Sequence, residues 1–199
     1  MSRKTIITEV TYFPSPGPGH TEATVTAACR RAEELGIGEI LVATETGATA
    51  LAVAGRFRTG KVIAVTYHSG TGEPFDDLLP AAARKKLEEK GAAILTCGHA
   101  LSGAEKAAAR IGGGAPLAVV AETLRTFGQG TKVAVEIVLM AADAGILSGK
   151  DVISLGGSAK GADTALVIAP AHQGKMFDLR VREVICKPRA FGRRKDNSG

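Results

Sequence analysis

The sequence predicts an α/β protein whose sheet is mostly parallel and finishes in antiparallel strands. Apolar runs of strand length alternate with stretches of helical period over most of the chain, the pattern of a parallel sheet covered by helices. Near the end, three strand-like runs follow one another with no helix between them, which favours antiparallel pairing there. With 199 residues, 45% of them apolar, we expect one domain over 1–187.

The elements follow in chain order. A short strand is predicted at 5–7, and the Pro- and Gly-rich stretch PSPGPGH at 14–20 predicts a loop. Thr21 is then expected to cap a helix that Gly36 ends. Further strands are predicted at 39–43, 61–66, 92–96, 151–155, 164–169 and 181–186. Further helices are predicted at 47–57, 80–90, 103–110 with Ser102 as its cap, 116–126 and 131–144.

The formal charge of +5 at pH 7 comes largely from the C-terminal stretch, through Lys187, Arg189, Arg193, Arg194 and Lys195. The rest of the chain is nearly neutral, and residues 188–199 are predicted to be a basic, flexible tail. Nucleic-acid binding through RAFGRRKDNSG is the least favoured function, because one aromatic residue accompanies the basic ones and no nucleic-acid fold pattern is present.

The cysteines and apolar segments indicate a cytoplasmic protein. Cys29, Cys97 and Cys186 are odd in number and form no CxxC pair, which argues against a disulfide framework or a zinc site, and no metal is expected. MSRKTIITEV lacks the apolar region of a signal peptide. VAVEIVLMAADAGIL contains two carboxylates and is too short to span a bilayer, so we expect no membrane association.

The stretch TETGAT at 44–49 stands between a predicted strand and a predicted helix. Such a turn gathers unpaired backbone N–H groups and the positive end of the helix dipole, which together bind anions and usually phosphate. The hydroxyls of Thr44, Thr46 and Thr49 can donate hydrogen bonds, and Gly47 is expected to let the backbone approach an oxyanion. No lysine follows the glycine, so this is not a triphosphate-hydrolysing loop. The alternative is that the threonines only cap the helix.

Four polar or glycine-rich segments follow successive predicted strands: TETGAT, TYHSGTG, TCGHALSG and GGSAKGAD. Because ligands of open α/β sheets bind beyond the carboxyl ends of parallel strands, we expect one ligand site at this rim. Thr66, His68, His99 and Lys160 are candidate contacts there. Each histidine could act as an acid or base, contact a ligand ring, or be an ordinary surface residue. Lys160 could meet the phosphate or be solvated.

Three other residues have two interpretations each. Cys97 near His99 suggests a thiol nucleophile, but no orienting group is evident, and an inert buried thiol is favoured. Glu136 lies on one helix face with Asp143, about 10 Å away, too far for a shared proton or a single metal. Glu136 either anchors a loop through backbone N–H groups or contacts the ligand. His172 follows a strand expected to run the other way, which would put it at the opposite rim.

The stretch EILVATETGATALAVAGRFRTGKVIAVT at 39–66 resembles the C-terminal alpha/beta domain of pyruvate kinase, where a strand, a Thr- and Gly-rich turn and a helix bind the phosphate of a sugar-phosphate effector. The resemblance implies that the phosphate loop consists of Thr44, Glu45, Thr46, Gly47, Ala48 and Thr49. DVISLGGSAKGADTALVIAP at 151–170 is similar to the glycine-rich effector loop of that domain, which implies contacts from Gly156, Gly157, Gly161 and Thr164.

The whole chain resembles a small family of standalone, mostly archaeal and bacterial proteins named for this pyruvate kinase domain. The resemblance is visible in YFPSPGPGHTEAT, VTYHSG, ALSGAEKA, VEIVLMAADAG, GADTALVIAPAH and VREVICKPR. It implies a three-layer α/β/α sandwich with an antiparallel last strand, and a site able to hold flavin mononucleotide (FMN), but no assigned reaction. The catalytic barrel of pyruvate kinase has no counterpart, so pyruvate kinase activity is not expected.

These observations predict binding of a phosphorylated small molecule, with FMN as the candidate cofactor. The alternative is a flavin-dependent or sugar-phosphate-processing enzyme that uses His68 or His99. A homo-oligomer is possible, because alanine-rich helices could pack on a second copy as well as on the sheet.

Overall fold

The computed structural model describes residues 5–158 and 160–190, which contain one mixed sheet of seven strands. The strands are β1 (Thr11–Phe13), β2 (Glu39–Ala43), β3 (Lys61–Thr66), β4 (Ala93–Thr96), β5 (Val152–Gly156), β6 (Thr164–Ala169) and β7 (Arg180–Pro188). The helices are α1 (Thr21–Leu35), α2 (Ala48–Arg56), α3 (Ala81–Glu89), α4 (Gly103–Arg110), α5 (Pro116–Arg125) and α6 (Gln129–Asp143). Short 3₁₀ helices occupy Pro18–His20 and Gln173–Asp178.

The sheet has the order β1-β7-β6-β5-β2-β3-β4 and is parallel except around β6. β5, β2, β3 and β4 pair in parallel, and β1 pairs in parallel with β7. β6 is antiparallel to both of its neighbours, β5 and β7. The predicted fold class, a mostly parallel sheet with antiparallel pairing at its end, is therefore confirmed. The carboxyl ends of β2, β3, β4 and β5 all lie at one rim.

Both faces of the sheet are covered, which explains why its central strands are continuous apolar runs. Successive residues of β2 point to opposite faces: Ile40 and Val42 pack with the α1, α2 and α3 layer, and Leu41 packs with the α5 and α6 layer. Two cores on either side of one sheet make a three-layer α/β/α sandwich.

The predicted strand at 5–7 is wrong, because those residues lie outside any strand. The first strand is instead β1, where Thr11 lies opposite Cys186 of β7. β-branched residues favour an extended chain, but a strand also requires a neighbour with which to form hydrogen bonds. The same pairing shortens the predicted tail. β7 continues to Pro188, and the N–H of Arg189 donates to the carbonyl of Phe13 at 2.8 Å, whereas 191–199 lie outside the described residues.

Most other boundaries differ from the predicted ones by one or two residues, but two caps have a different structure. Thr21 begins α1 without capping it, because its hydroxyl accepts a hydrogen bond from Ala162 N–H at 3.0 Å. Ser102 precedes α4 and makes no capping side-chain hydrogen bond. Gly36 ends α1 in the left-handed conformation, with φ of 64°, as predicted. Among the described residues, none of the helices has the length and apolar character needed to cross a membrane.

Candidate functional site

A cavity of about 490 Å³ opens at the carboxyl-end rim, between the ends of β2, β3 and β5 and one face of α6. This volume is within the usual range for small-molecule sites. The segments after β2, β4 and β5 reach it, and the segment after β3 contributes only Tyr67. Most of the predicted ligand contacts line it: Thr44, Glu45, Thr46, Ala48, Thr49, Thr66, His99, Gly157, Lys160 and Gly161. Four do not: Gly47, His68, Gly156 and Thr164.

Three helices begin at this cavity. Thr21 is the first residue of α1, Ala48 of α2 and Gln129 of α6, and all three residues line the cavity wall. The first N–H groups of a helix have no partner within the helix, and the helix dipole places partial positive charge there. The three helix starts therefore favour an anion in the cavity, whereas the exposed Glu45, which also lines it, adds negative charge.

The three threonines of the 44–49 loop divide into two kinds. The Oγ1 of Thr44 accepts a hydrogen bond from Gly47 N–H at 3.0 Å, so this threonine stabilises the turn into α2. Thr46 and Thr49 make no side-chain hydrogen bond within the described residues, although Thr49 is only 6% exposed. Both line the cavity, so their hydroxyls are available to a ligand.

The absence of a side chain at Gly47 is required by the backbone conformation and by packing against α3. Its φ of 84° is in the left-handed region, which favours glycine. A Cβ on this residue would lie 2.8 Å from the Cβ of Ala83 in α3 and 3.2 Å from Cδ1 of Leu79. Gly47 is not among the residues that line the cavity, and its missing side chain makes room for α3.

Gly156 and Thr164 likewise hold the fold together beside the cavity. A Cβ on Gly156 would lie 2.2 Å from the carbonyl oxygen of Gly130, so β5 approaches the start of α6 more closely than any side chain would permit. The buried hydroxyl of Thr164 donates to Oδ1 of Asp163 at 2.9 Å. The loop contributes to the cavity through Gly157, Ser158, Lys160 and Gly161.

The loop before α1 forms part of the cavity wall, which sequence reasoning did not predict. Oδ2 of the buried Asp163 accepts a hydrogen bond from Gly17 N–H at 3.1 Å. This bond, with the one between Thr21 and Ala162, ties the Pro/Gly-rich loop to the glycine-rich loop and brings Pro18 to the cavity. The unusual density of proline and glycine just before a helix was the available signal.

The apolar wall of the cavity was also missed. Val133, Ile137 and Met140 lie on one face of α6 at helical spacing and line the cavity together with Val65 and Tyr67. In the sequence these α6 residues cannot be distinguished from core residues, because a cavity wall and a core both require apolar side chains.

A buried charge cluster stands at the side of the cavity. Glu136 is 2% exposed; its Oε1 accepts a hydrogen bond from Leu101 N–H at 3.0 Å, and its Oε2 lies 3.4 Å from Nδ1 of His99. The buried ammonium of Lys132 forms an ion pair with the same Oε2. Glu136 therefore anchors the loop after β4, which was one of its two predicted roles, and it also lines the cavity.

These partners keep Glu136 ionised. Burial alone would raise the pKa of Glu136, but the His99 hydrogen bond, the charge and hydrogen bond of Lys132 and the Leu101 N–H together lower that pKa to about 2. Burial lowers the pKa of Lys132, and attraction to Glu136 opposes this shift.

The family model described as pyruvate kinase, alpha/beta domain, matches residues 22–168. The chain belongs to this family. The matched part of this pyruvate kinase alpha/beta domain runs from the first turn of α1 nearly to the end of β6, and it includes both the 44–49 loop and the glycine-rich loop.

His68 of this alpha/beta domain lies beside the cavity rather than in its wall. It is exposed, its Nδ1 lies 2.8 Å from the carbonyl oxygen of Ser69, and its ring meets that of His99 edge-on, with centroids 5.4 Å apart. Tyr67 takes the expected place of His68 in the wall, with its ring centroid 5.4 Å from that of His99. The cavity wall includes Tyr67 but not His68, although both rings lie beside that of His99.

The other candidates lie outside the cavity wall. Cys97 is partly buried, and burial raises the pKa of its thiol, as expected for an inert cysteine. His172 lies at the opposite rim, with its Nδ1 3.0 Å from Oδ1 of Asp143. No group of three or more metal-binding side chains occurs among the residues that the structure describes.

Proposed function

We propose that this pyruvate kinase alpha/beta domain binds a phosphorylated small molecule in the cavity, with the phosphate at the start of α2 and the rest of the ligand against α6. FMN is the candidate ligand. The observation that carries the proposal is Thr49, whose hydroxyl lines the cavity without a partner in the described part of the chain although the residue is 94% buried. A hydroxyl that has no protein partner at a cavity wall can donate a hydrogen bond to a ligand oxygen.

The surrounding charge supports an anion at this position. α1, α2 and α6 all begin at the cavity, and the ammonium-bearing side chain of Lys160 lines it as well. Two carboxylates stand in the described part of the wall: Glu136 is paired with Lys132 and presents little net charge to the ligand, and Glu45 is exposed to solvent. A phosphate would therefore meet donors and positive potential on several sides.

The remaining walls suit a flat apolar ring. Val133, Ile137 and Met140 form one side of the cavity, and Tyr67 contributes an aromatic ring at the edge. Phosphate donors at one place and an apolar wall at another fit the two chemically different parts of FMN. Bound FMN would supply hydride or electron transfer.

The first experiment is the visible absorption spectrum of the purified protein, followed by titration of FMN and riboflavin onto protein stripped of any chromophore. We expect tighter binding of FMN than of riboflavin. Thr49→Val should weaken FMN binding about tenfold or more, the effect of one charge-assisted hydrogen bond, and should leave riboflavin binding nearly unchanged.

Thr59→Val is the matched control, because Thr59 is exposed and lies just beyond the other end of α2. It should change neither affinity. Equal losses of FMN and riboflavin affinity in Thr49→Val would contradict the proposed phosphate position. If neither flavin binds, sugar phosphates are the next ligands to titrate.

An enzymatic role is the second candidate, and the contact between His99 and Glu136 favours it. A histidine held by a carboxylate at a cavity is a common acid–base arrangement. The test is turnover: oxidation of a nicotinamide donor by FMN-loaded protein, or consumption of a sugar phosphate. Loss of turnover in His99→Ala at FMN concentrations that saturate the variant would support this role, and undiminished turnover would contradict it.

A further inference from the structure

We propose that Glu136 holds His99 as the tautomer protonated on Nδ1, so that the unprotonated Nε2 accepts a hydrogen bond from the ligand. The ligand must then present an N–H or O–H group there, in a part of the molecule other than its phosphate. His99 becomes a specificity-determining residue for the non-phosphate end. This inference rests on the proposed function in that a ligand occupies the cavity, but it does not depend on where the phosphate binds.

The tautomer follows from the protonation state of Glu136. An ionised carboxylate can only accept hydrogen bonds, and Nδ1 of His99 is the ring nitrogen that lies 3.4 Å from Oε2. A neutral histidine has one ring proton, so the nitrogen that donates to Glu136 is the one that carries it.

The carboxylate itself is fixed in place, so it can orient the ring. Oε1 accepts the backbone N–H of Leu101, and Oε2 also pairs with Lys132, which lies one turn earlier on α6. Leu101 is two residues after His99, so the same side chain positions both the ring and the backbone of its loop. Glu136 acts on the ligand through His99 and is a positioning residue.

The second ring nitrogen is left for the ligand. His99 is partly buried and lines the cavity, and its Nε2 has no hydrogen-bond partner within residues 5–158 and 160–190. An acceptor in this position would be paired by a ligand donor and would disfavour a ligand acceptor. The ring N–H of a flavin and the hydroxyls of its ribityl chain or of a sugar phosphate all qualify.

His68 provides an internal control because its surroundings differ. It touches the ring of His99 but does not line the cavity and has no carboxylate partner in the described part of the chain. Replacing either histidine with phenylalanine retains a ring of similar shape and removes the nitrogen atoms.

The first test is nitrogen-15 NMR of the histidine rings in the ligand-free protein, at a pH where the rings are neutral, with His99 assigned by its loss in His99→Phe. We expect the proton of His99 on Nδ1. A proton on Nε2 would overturn the inference, whatever the protein binds, because Nε2 would then be a donor.

The second test is the affinity for FMN and riboflavin of His99→Phe and His68→Phe. We expect His99→Phe to weaken both ligands by the same factor, about tenfold, because the lost bond is to the shared part of the two molecules. His68→Phe should change either affinity less than twofold. Unchanged affinities in His99→Phe would overturn the inference.

The two proposals fail in different ways. If Thr49→Val weakens FMN and riboflavin equally but His99→Phe still weakens both, the phosphate assignment fails and the role of His99 stands. If Thr49→Val weakens only FMN binding and His99→Phe changes neither affinity, the phosphate assignment stands and the role of His99 fails. If the wild-type protein binds neither flavin, the tautomer of His99 decides the inference.

Discussion

The two rims of the sheet use polar residues in opposite ways. At the amino-end rim, protein groups pair with one another: His172 and Gln173 N–H with Asp143, Ser148 with Glu39, and the Lys61 ammonium with the carbonyl of Ile146. At the carboxyl-end rim, Thr46, Thr49 and Nε2 of His99 face the cavity with no partner among the described residues. Polar groups that face the cavity without a partner in the described residues therefore lie where parallel strands end and helices begin.

The rims also differ in how they treat charge. The side chains of Lys132 and Glu136 are 6% and 3% exposed, whereas that of His172 at the other rim is 71% exposed. Burying charges is costly unless they are paired and fully hydrogen-bonded. The cavity rim therefore carries a desolvation cost that the exposed His172 at the other rim does not. The comparison predicts large effects of substitution at one rim and small effects at the other.

The largest effect should come from Glu136→Ala. Removal of the carboxylate leaves the buried Lys132 ammonium and the Leu101 N–H without a partner, and breaking a buried pair in this way costs about 3–5 kcal/mol. Urea unfolding followed by circular dichroism would measure the loss. The double variant Lys132→Met with Glu136→Gln contains no buried charge and should lose much less. If the single and double variants lose the same stability, the unpaired Lys132 ammonium is not the source of the effect.

The pH dependence of stability tests the same pair. The folded pKa of Glu136 is lowered from 4.5 to about 2, so its stabilising contribution is fully present above pH 4.5 and is lost as the pH falls from 4.5 towards 2. Unfolding free energies measured at pH 6, 4.5 and 3 should fall more steeply for the wild type than for the Lys132→Met and Glu136→Gln double variant. If the unfolding free energies of the wild type and the double variant fall in parallel with pH, the low pKa assigned to Glu136 is contradicted.

The loss of unfolding free energy on substituting glycine with alanine should differ by about 1 kcal/mol or more between the two rims. Gly47 at the cavity rim and Gly91 at the amino-end rim both have positive φ, 84° and 73°, but only Gly47 is crowded, by Ala83 and Leu79. Gly91→Ala should cost about 1 kcal/mol through backbone strain, and Gly47→Ala about 2 kcal/mol because the methyl group also collides with α3. Equal melting temperatures of the two variants would show that the crowding is relieved cheaply.

Much of the fold was predictable because its signals are local. β2 and β3 occupy the predicted residues, since each is an apolar run closed by a polar residue or turn. The strand at 5–7 was wrong and β1 was missed because strand formation depends on a partner distant in sequence, here β7. Propensity over three residues contains no information about that pairing.

The site was predictable only in part. The 44–49 loop is visible in the sequence because one short segment contains both its hydroxyls and its helix start. The roles of Gly47 and His68 depend on which way a residue faces, and Gly47 faces α3 because of packing that the loop does not encode. The orienting partner of His99 lies 37 residues away on α6, so no local pattern could reveal it.

Thr44→Val should separate stability from binding within a single loop. The Thr44 hydroxyl accepts the Gly47 N–H in the turn before α2, and loss of a buried hydrogen bond costs about 1 kcal/mol. Thr49→Val removes an unpaired hydroxyl and should leave the unfolding free energy unchanged or slightly higher. Urea unfolding of both variants, beside their FMN titrations, would check this division. A destabilised Thr49→Val would mean that its hydroxyl already has a partner in the protein.

The smallest effect should come from His172→Gln at the amino-end rim. The imidazole is largely exposed, and exposed ion pairs contribute less than about 1 kcal/mol, so stability should change by no more than about 0.5 kcal/mol. In this variant Oδ1 of Asp143 still accepts the hydrogen bond from Gln173 N–H, at 3.0 Å in the wild type, so the end of α6 retains a hydrogen bond. FMN affinity should equal that of the wild type, because His172 and the cavity lie at opposite ends of the strands. A loss of affinity in His172→Gln would mean that α6 transmits changes from one rim to the other, and the two rims could then no longer be treated as independent.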